Sequence, residues 1–271
     1  MIVDSFLFFQ ELEILLIRLE YLYKIVDKFI IVEARESFTG KEKGFIFEKN
    51  IKLFEKYLDK IYYFKISDTH KSYESLIDFL SKKDQEIYKK IQSILLKHDY
   101  YNKQKLHYVL DTYHRECLHI PMSKICKNDD LIIISDLDEI PKDEILKNIV
   151  NYKKPLVCRQ NEFKYYLNLY SNNQWKGSII DRYSFIKNKS LNILRKESNK
   201  FNILYPGGYH FTSIGKENEI INKIENWGHQ EYNRKFIKNN VHKNIIKGRD
   251  IFYRIGEKKN IVIDLENSKI F

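Results

Sequence analysis

The stretch Leu131-Ile-Ile-Ile-Ser135-Asp136-Leu137-Asp138-Glu139-Ile140-Pro141 decides how the rest of this chain is read. Four consecutive large apolar residues have the length and branching of a strand buried on both faces. Two carboxylates, one residue apart, stand at its C-terminal end, the edge where open α/β sheets bind ligands. Residues two apart in a strand point the same way, so Asp136 and Asp138 can aim at one cation if the strand geometry persists; a turn would separate them. Hard oxygen donors suit Mg²⁺ or Mn²⁺, which keep positions open for substrate phosphates. The bland alternative has one aspartate capping the next helix and the other merely exposed. Pro141, followed by Asp143 and Glu144, predicts a helix start just beyond.

Outward from this strand, the N-terminal side repeats the pattern. Ile2 to Phe9 predicts a strand, and Leu12, Leu15, Leu16, Leu19, Leu22 and Tyr23 then recur at helical spacing. Phe29 to Val32 predicts a second strand, ending at Glu33. Strand, helix and strand make a βαβ unit with a parallel pair and a right-handed crossover. Phe38 to Gly44 reads as a loop, Glu48 to Leu58 as a helix, Ile61 to Ile66 as a strand, and Ser72 to Lys127 as mainly helical. Beyond Val150 short β-prone runs dominate: Leu156 to Arg159, Phe163 to Leu169, Ser178 to Ile186 and Phe201 to Thr212. Helical signals return from Glu217 to Lys247. The expected fold is α/β, an open, mixed, mostly parallel sheet flanked by helices. Residues 1–271 form one domain, with a Rossmann-like nucleotide-binding half at 1–150 and an acceptor-side half at 151–271.

With 271 residues and 43% hydrophobic content, the chain can bury a sizeable core. Its 47 basic and 37 acidic residues leave a net charge of +10, which favours anionic partners: nucleotide sugars, nucleic acid or membrane headgroups. The plain alternative is a solvated lysine-rich surface. Cys117, Cys126 and Cys158 form no CxxC pair, which argues against a disulfide framework or a cysteine zinc site. Asp4, Gln10, Glu11 and Glu13 interrupt the first apolar stretch, so no signal peptide is expected. No run approaches the roughly 20 apolar residues of a membrane helix. A reducing, cytoplasmic setting is the simplest expectation, with weak peripheral contact between basic residues and a membrane.

Aspartates two apart after a strand also occur in haloacid-dehalogenase-like phosphatases. Those show Thr or Val two residues after the second aspartate and a later Gly-Asp-rich motif; this chain has Ile140-Pro141 and no such motif. A different resemblance covers about residues 2 to 235. Asp4 to Glu13, Arg18-Leu and Val26 to Lys41 resemble the start of glycosyltransferase family 17, the family of bisecting β-1,4-N-acetylglucosaminyltransferases. Asp129-Asp130 through Pro141 is similar to its central signature. Gly207-Gly-Tyr209-His210-Phe211-Thr-Ser and His229-Gln-Glu231-Tyr232-Asn resemble its C-terminal blocks. The chain departs from the family pattern at Glu42, where proline is common, and at Tyr209, where tryptophan is.

The resemblance implies a GT-A-type fold, a divalent metal, a UDP-sugar donor with N-acetylglucosamine the first sugar to consider, a glycan acceptor, and inversion at the anomeric carbon. Asp138 is the first candidate for the metal, with Asp136 reaching metal, ribose or metal-bound water. The resemblance implies His210 as a later ligand or phosphate contact. Glu33 is a candidate for nucleotide recognition, Thr39, Gly40 and Lys41 for wrapping the phosphates, and Arg115 for a bidentate bond to the diphosphate. Trp175 offers a flat face for a sugar ring or the core, and of Tyr165 and Tyr166 only one can face a cleft. An inverting transfer needs a base. Glu139, Glu162, Asp181 and Glu217 are the carboxylates to consider, with Asp181 and Glu162 placed ahead because they follow the metal strand. Two non-catalytic rivals remain. A basic nucleic-acid-binding protein leaves Asp136 and Asp138 unexplained and lacks a recognition motif, so no nucleic acid is expected; an inactive glycan-binding protein would keep both.

Overall fold

The apolar runs assemble into one ten-stranded sheet. In the computed structural model, which describes residues 1–257 and 259–264, the strands are β1 (Ile2–Phe8), β2 (Lys28–Ala34), β3 (Ile61–Ile66), β4 (Leu131–Asp136), β5 (Glu139–Pro141), β6 (Leu156–Lys164), β7 (Leu169–Arg182), β8 (Asn202–Leu204), β9 (Gly208–Thr212) and β10 (Ile261–Val262). Their order is β3-β2-β1-β4-β7-β6-β9-β5, with β10 added to β7 and β8 to β6. From β3 to β4 every pair is parallel. β7 turns antiparallel to β4 and β6, β9 runs parallel to β6, and β5 closes antiparallel to β9. The α/β expectation holds, and the sheet runs without a break through both halves of the chain.

Side-chain alternation divides the core. Ile133, Phe6, Phe29 and Ile31 face the helix Leu12–Leu22, which meets them with Leu15, Leu19 and Leu22. Ile132, Ile134, Val3, Ile30 and Val32 face the opposite way and are covered by residues of the helices Tyr73–Ser81, Glu86–Lys97, Leu106–Glu116 and His119–Ile125. The central apolar run is therefore buried on both faces, as a parallel strand between helices must be. A third cluster joins Tyr165 and Leu169 to the C-terminal helices Glu217–Asn226, Lys235–Asn239 and Val241–Ile246.

Three local expectations change. Residues 48–58 split at Asn50 into a short helix, Ile46–Lys49, and a 3₁₀ turn, Ile51–Tyr57. Pro141 ends strand β5 opposite Gly208, and the helix starts later, at Asp143–Lys147; at a sheet edge its missing N–H costs nothing. Tyr183–Ile186 is helical, where strand was expected. Among the described residues no helix is long and apolar enough to cross a membrane.

Candidate active site

β1, β2 and β4 are in register, pairing Leu7 with Asp136 and Phe8 with Glu33, so their C-terminal ends share one edge. β4 stops at Asp136, Leu137-Asp138 form a turn, and β5 resumes at Glu139. A fully buried arginine holds that turn from below. Arg18 makes a two-pronged ion pair with Asp4, at 2.8 and 2.6 Å, and donates to Ser135 Oγ at 2.6 Å. Its Nη1 reaches the carbonyls of Asp136, Leu137 and Glu139 at 2.9–3.0 Å. Because the strand ends, the two aspartates point apart.

Asp136 faces two arginines. Arg115 Nη1 donates to its Oδ1 at 2.7 Å and Arg195 Nη2 to its Oδ2 at 3.0 Å. Arg195 also grips both oxygens of Glu139, at 2.7 and 2.8 Å. Burial pushes the Asp136 carboxyl up, but Arg115 and Arg195 outweigh it and hold the group well below its ordinary range. Glu139 is lowered too: burial and the Asp136 charge are overcome by Arg195. Both Asp136 oxygens thus accept from arginine, while its side chain remains in the cavity wall.

Asp138 faces the other way. Lys223 Nζ lies 3.2 Å from its Oδ2 and 3.1 Å from Glu11. Burial would lower the Lys223 ammonium, yet Asp138 and Glu11 raise it. His210 Nε2 sits 3.8 Å from Asp138 Oδ1, and its Nδ1 sits 3.8 Å from Glu162 Oε1 with no hydrogen-bond partner among the described residues. Trp175 stacks on the His210 ring at 5.0 Å and donates its indole N–H to Glu139 at 2.6 Å. Strand pairing sets His210 opposite both Glu139 and Glu162. Gly208, at φ +125°, lets β9 reach that position; a Cβ there would lie 2.2 Å from the Ile140 carbonyl oxygen.

Of these groups, Arg115, Asp136, Asp138, Glu162, His210 and Lys223 line one cavity of about 510 Å³, and Arg18 and Arg195 do not. Its N-terminal wall includes Phe8, Glu36, Phe38 and His114; its far wall includes Trp227, Tyr232, Asp250 and Phe252. His114 Nε2 and Glu36 Oε2 are buried polar atoms with no hydrogen-bond partner among the described residues. Burial holds the His114 imidazole down at about 3, so it is neutral, and raises the Glu36 carboxyl.

Several expected residues lie elsewhere. Glu33 is fully buried and committed: it accepts from Lys43, Tyr63 and the N–H groups of Ile46 and Phe47, capping a helix, so it has no edge left for a nucleotide. Asp181 pairs with Ile132 at the start of β4, the opposite end from Asp136, which removes it as a base for this cavity. Glu139 has both oxygens bound and is also removed. Glu217 pairs with His242 away from the cavity lining. Thr39, Gly40 and Lys41 are not in the cavity wall; Thr39 contacts Asn226, which is, and Lys41 is exposed. Tyr165 lines the cavity while Tyr166 is exposed. Arg195 and Lys223 are not singled out by the sequence because they stand in unremarkable polar stretches. Glu11 and Glu36 lie inside the N-terminal blocks that resemble the family but carry no local sign of a role. Only folding brings Arg195, Lys223 and Glu11 to the aspartates or their partners and Glu36 to the cavity wall.

The family model of glycosyltransferase family 17 matches residues 1–95 and 78–262. The chain belongs to glycosyltransferase family 17. As a glycosyltransferase it takes a sugar donor and an acceptor. A search of curated proteins gave no match. Among solved structures, 4-diphosphocytidyl-2C-methyl-D-erythritol synthase from Anaerococcus prevotii is similar with a TM-score of 0.36 and 12% identity, over 86% of this chain and 96% of that one.

Among the described residues of this family 17 chain, no three His, Cys, Asp or Glu side chains converge into a ready metal cage. His210 stands within cation-sharing distance of two carboxylates, Asp138 and Glu162, each at 3.8 Å. Two donors on one ion at about 2.1 Å each lie no more than about 4.2 Å apart, and Asp138 Oδ1 and His210 Nε2 are 3.8 Å apart.

Proposed function

We propose that the chain is an inverting, metal-dependent GT-A glycosyltransferase that moves a sugar from a UDP-sugar to a glycan hydroxyl, with N-acetylglucosamine the first donor sugar to test. The observation that carries this reading is the cavity itself: Asp138 and His210 stand beside Arg115 and Lys223 at the C-terminal edge of the parallel strands, and Arg195, outside the lining, grips Asp136. Asp138 and His210 would hold a divalent cation, which would supply Lewis-acid charge for the departing diphosphate. Asp136 serves by holding Arg115 in place, and the Arg115 guanidinium, which lines the cavity, suits contact with phosphate, while Arg195 fixes Asp136 to Glu139. Glu36 and His114, with unpaired polar atoms on the N-terminal wall, suit the nucleoside.

Glu162 is the base this arrangement favours. Its Oε2 accepts from Ser171 at 2.8 Å and lies 3.2 Å from Lys164, which leaves Oε1 open. Burial would raise its carboxyl, but Lys164 and His210 hold it below its ordinary value, so it is ionised at neutral pH. It takes the proton of the acceptor hydroxyl as that oxygen bonds to the anomeric carbon and the carbon–oxygen bond to the diphosphate breaks.

Thermal unfolding with uridine, guanosine and cytidine diphosphate sugars, with and without Mn²⁺, tests the reading. A Mn²⁺-dependent rise in midpoint with one uridine donor is expected. Folded protein that shifts with no donor would sink the assignment of donor and metal and favour a glycan-binding protein without turnover.

A further inference from the structure

The chain's positive charge is not evenly spread. Between Arg234 and Arg254 stand seven Lys and Arg residues and one acid, Asp250, a net +6 out of the chain's +10. The same 21 residues make up most of the C-terminal cap on the sheet. Ile237, Val241, Ile245 and Ile251 turn inward against Tyr165, Leu169, Ile220 and Ile224 and fix the cap. Their sequence neighbours turn outward and are large and apolar: Phe236 is 63% exposed, Ile246 70%, and Tyr253 48%, with Ile255 fully exposed just after. The Phe236 and Tyr253 rings lie 5.1 Å apart, so two chain segments contribute to one apolar surface.

Of the seven basic residues, Lys238 pairs with Glu225 and Arg254 with Asp250. The other five, Arg234, Lys235, Lys243, Lys247 and Arg249, are exposed and form no ion pair with a described carboxylate. A merely solvated lysine-rich face does not call for an exposed Phe-Tyr pair; the acids that reach this segment, Glu217, Glu225 and Glu257, meet His242, Lys238 and Arg254 and leave the other five cations free of them. Aromatic and aliphatic side chains standing among unpaired cations suit an interface that is anionic at its surface and apolar just beneath, which is the chemistry of a lipid bilayer. Nucleic acid would be served by the cations alone and offers little to Ile246 or Ile255.

We infer that this face docks the protein on an anionic phospholipid membrane, with Phe236, Tyr253 and Ile255 entering the headgroup region and the lysines and arginines meeting lipid phosphates. Phe252 and Arg254, interleaved with the docking residues, line the catalytic cavity, so docking sets the cavity mouth beside the bilayer. Given the glycosyltransferase reading, the acceptor glycan is then one carried at a membrane surface.

The test is co-sedimentation of the full chain with vesicles of phosphatidylcholine alone or containing a third phosphatidylglycerol, at low and at about 0.15 M salt. Binding to the anionic vesicles only, weakened by salt, is expected. The variant Phe236→Ser/Ile255→Ser should bind at least about tenfold more weakly while keeping the wild-type circular dichroism and donor-induced thermal shift. Lys243→Gln/Lys247→Gln should weaken binding similarly. Failure to sediment with anionic vesicles overturns the inference. So does a Phe236→Ser/Ile255→Ser variant that binds them unchanged, which would mark a simple cation-exchange surface. Tighter, salt-sensitive binding to single-stranded RNA than to vesicles would assign the face to nucleic acid. Vesicle binding is read without any donor, so this inference and the assigned reaction fail separately.

Discussion

Replacing Arg18 by methionine is the most discriminating perturbation of this fold, because one side chain ties three features together. Methionine keeps much of the volume and loses the charge. The Asp4 carboxylate, fully buried and gripped at 2.6 and 2.8 Å, would be left unpaired. Breaking a buried pair in this way costs about 3–5 kcal/mol. The carbonyls of Asp136 and Leu137 would lose their Arg18 donor, at roughly 1 kcal/mol each; the Glu139 carbonyl keeps a bond from Ser178. The sum, about 5–7 kcal/mol, is a large part of the roughly 5–15 kcal/mol that stabilises a typical protein. Urea unfolding followed by circular dichroism measures it. Adding Asp4→Leu to Arg18→Met removes the stranded charge and should recover about 2–4 kcal/mol of the loss. A single variant that loses less than about 1 kcal/mol, or a double variant no more stable than the single, would refute the clamp.

The other expectations concern the site and its titration. Asp138→Asn should abolish the Mn²⁺-dependent part of the donor-induced thermal shift, whereas Asp136→Asn, which frees Arg115 and Arg195, should keep that part while weakening donor affinity about tenfold or more; equal metal response in both variants would contradict the division of labour. Gly208→Ala should cost about 3 kcal/mol in chemical denaturation and lower donor affinity by moving His210, since its Cβ meets the Ile140 carbonyl oxygen at a φ of +125°. Burial holds His114 and His119 down at about 3, against about 6.5 in an unfolded chain. The unfolded chain therefore binds more protons, and stability falls as pH drops from about 6.5 towards 3, by up to about 1.4 kcal/mol per pH unit for each histidine. His114→Leu should flatten that slope by about one proton between pH 6 and 5, read from unfolding free energies; an unchanged slope would mean that His114 is not buried neutral.

Much of this protein was legible along the chain. Ile2–Phe8, Leu12–Leu22, Lys28–Ala34 and Leu131–Asp136 follow from apolar runs and helical spacing that are local properties, and the short crossover helix obliges the first two strands to be parallel. The position of two aspartates at the end of a buried strand is local as well, and it pointed to the edge where the cavity lies. The direction of each carboxylate was not local. The strand ends at Asp136 because the turn is held by Arg18, 118 residues earlier, so the period-of-two argument fails one residue before Asp138. Glu33 stands at the right edge by sequence, yet the N–H groups of a later helix claim its oxygens. Asp181 follows the aspartate strand in sequence, yet β7 runs antiparallel to β4 and carries it to the far end of the sheet. Sequence by itself determined which segments are strands and helices and which residues bear the chemistry, because hydrophobic period and side-chain type are written locally. Only the tertiary structure decided which charges meet, because Arg115, Arg195, Lys223 and His210 come from separate elements and the burial they share sets the partner each can keep.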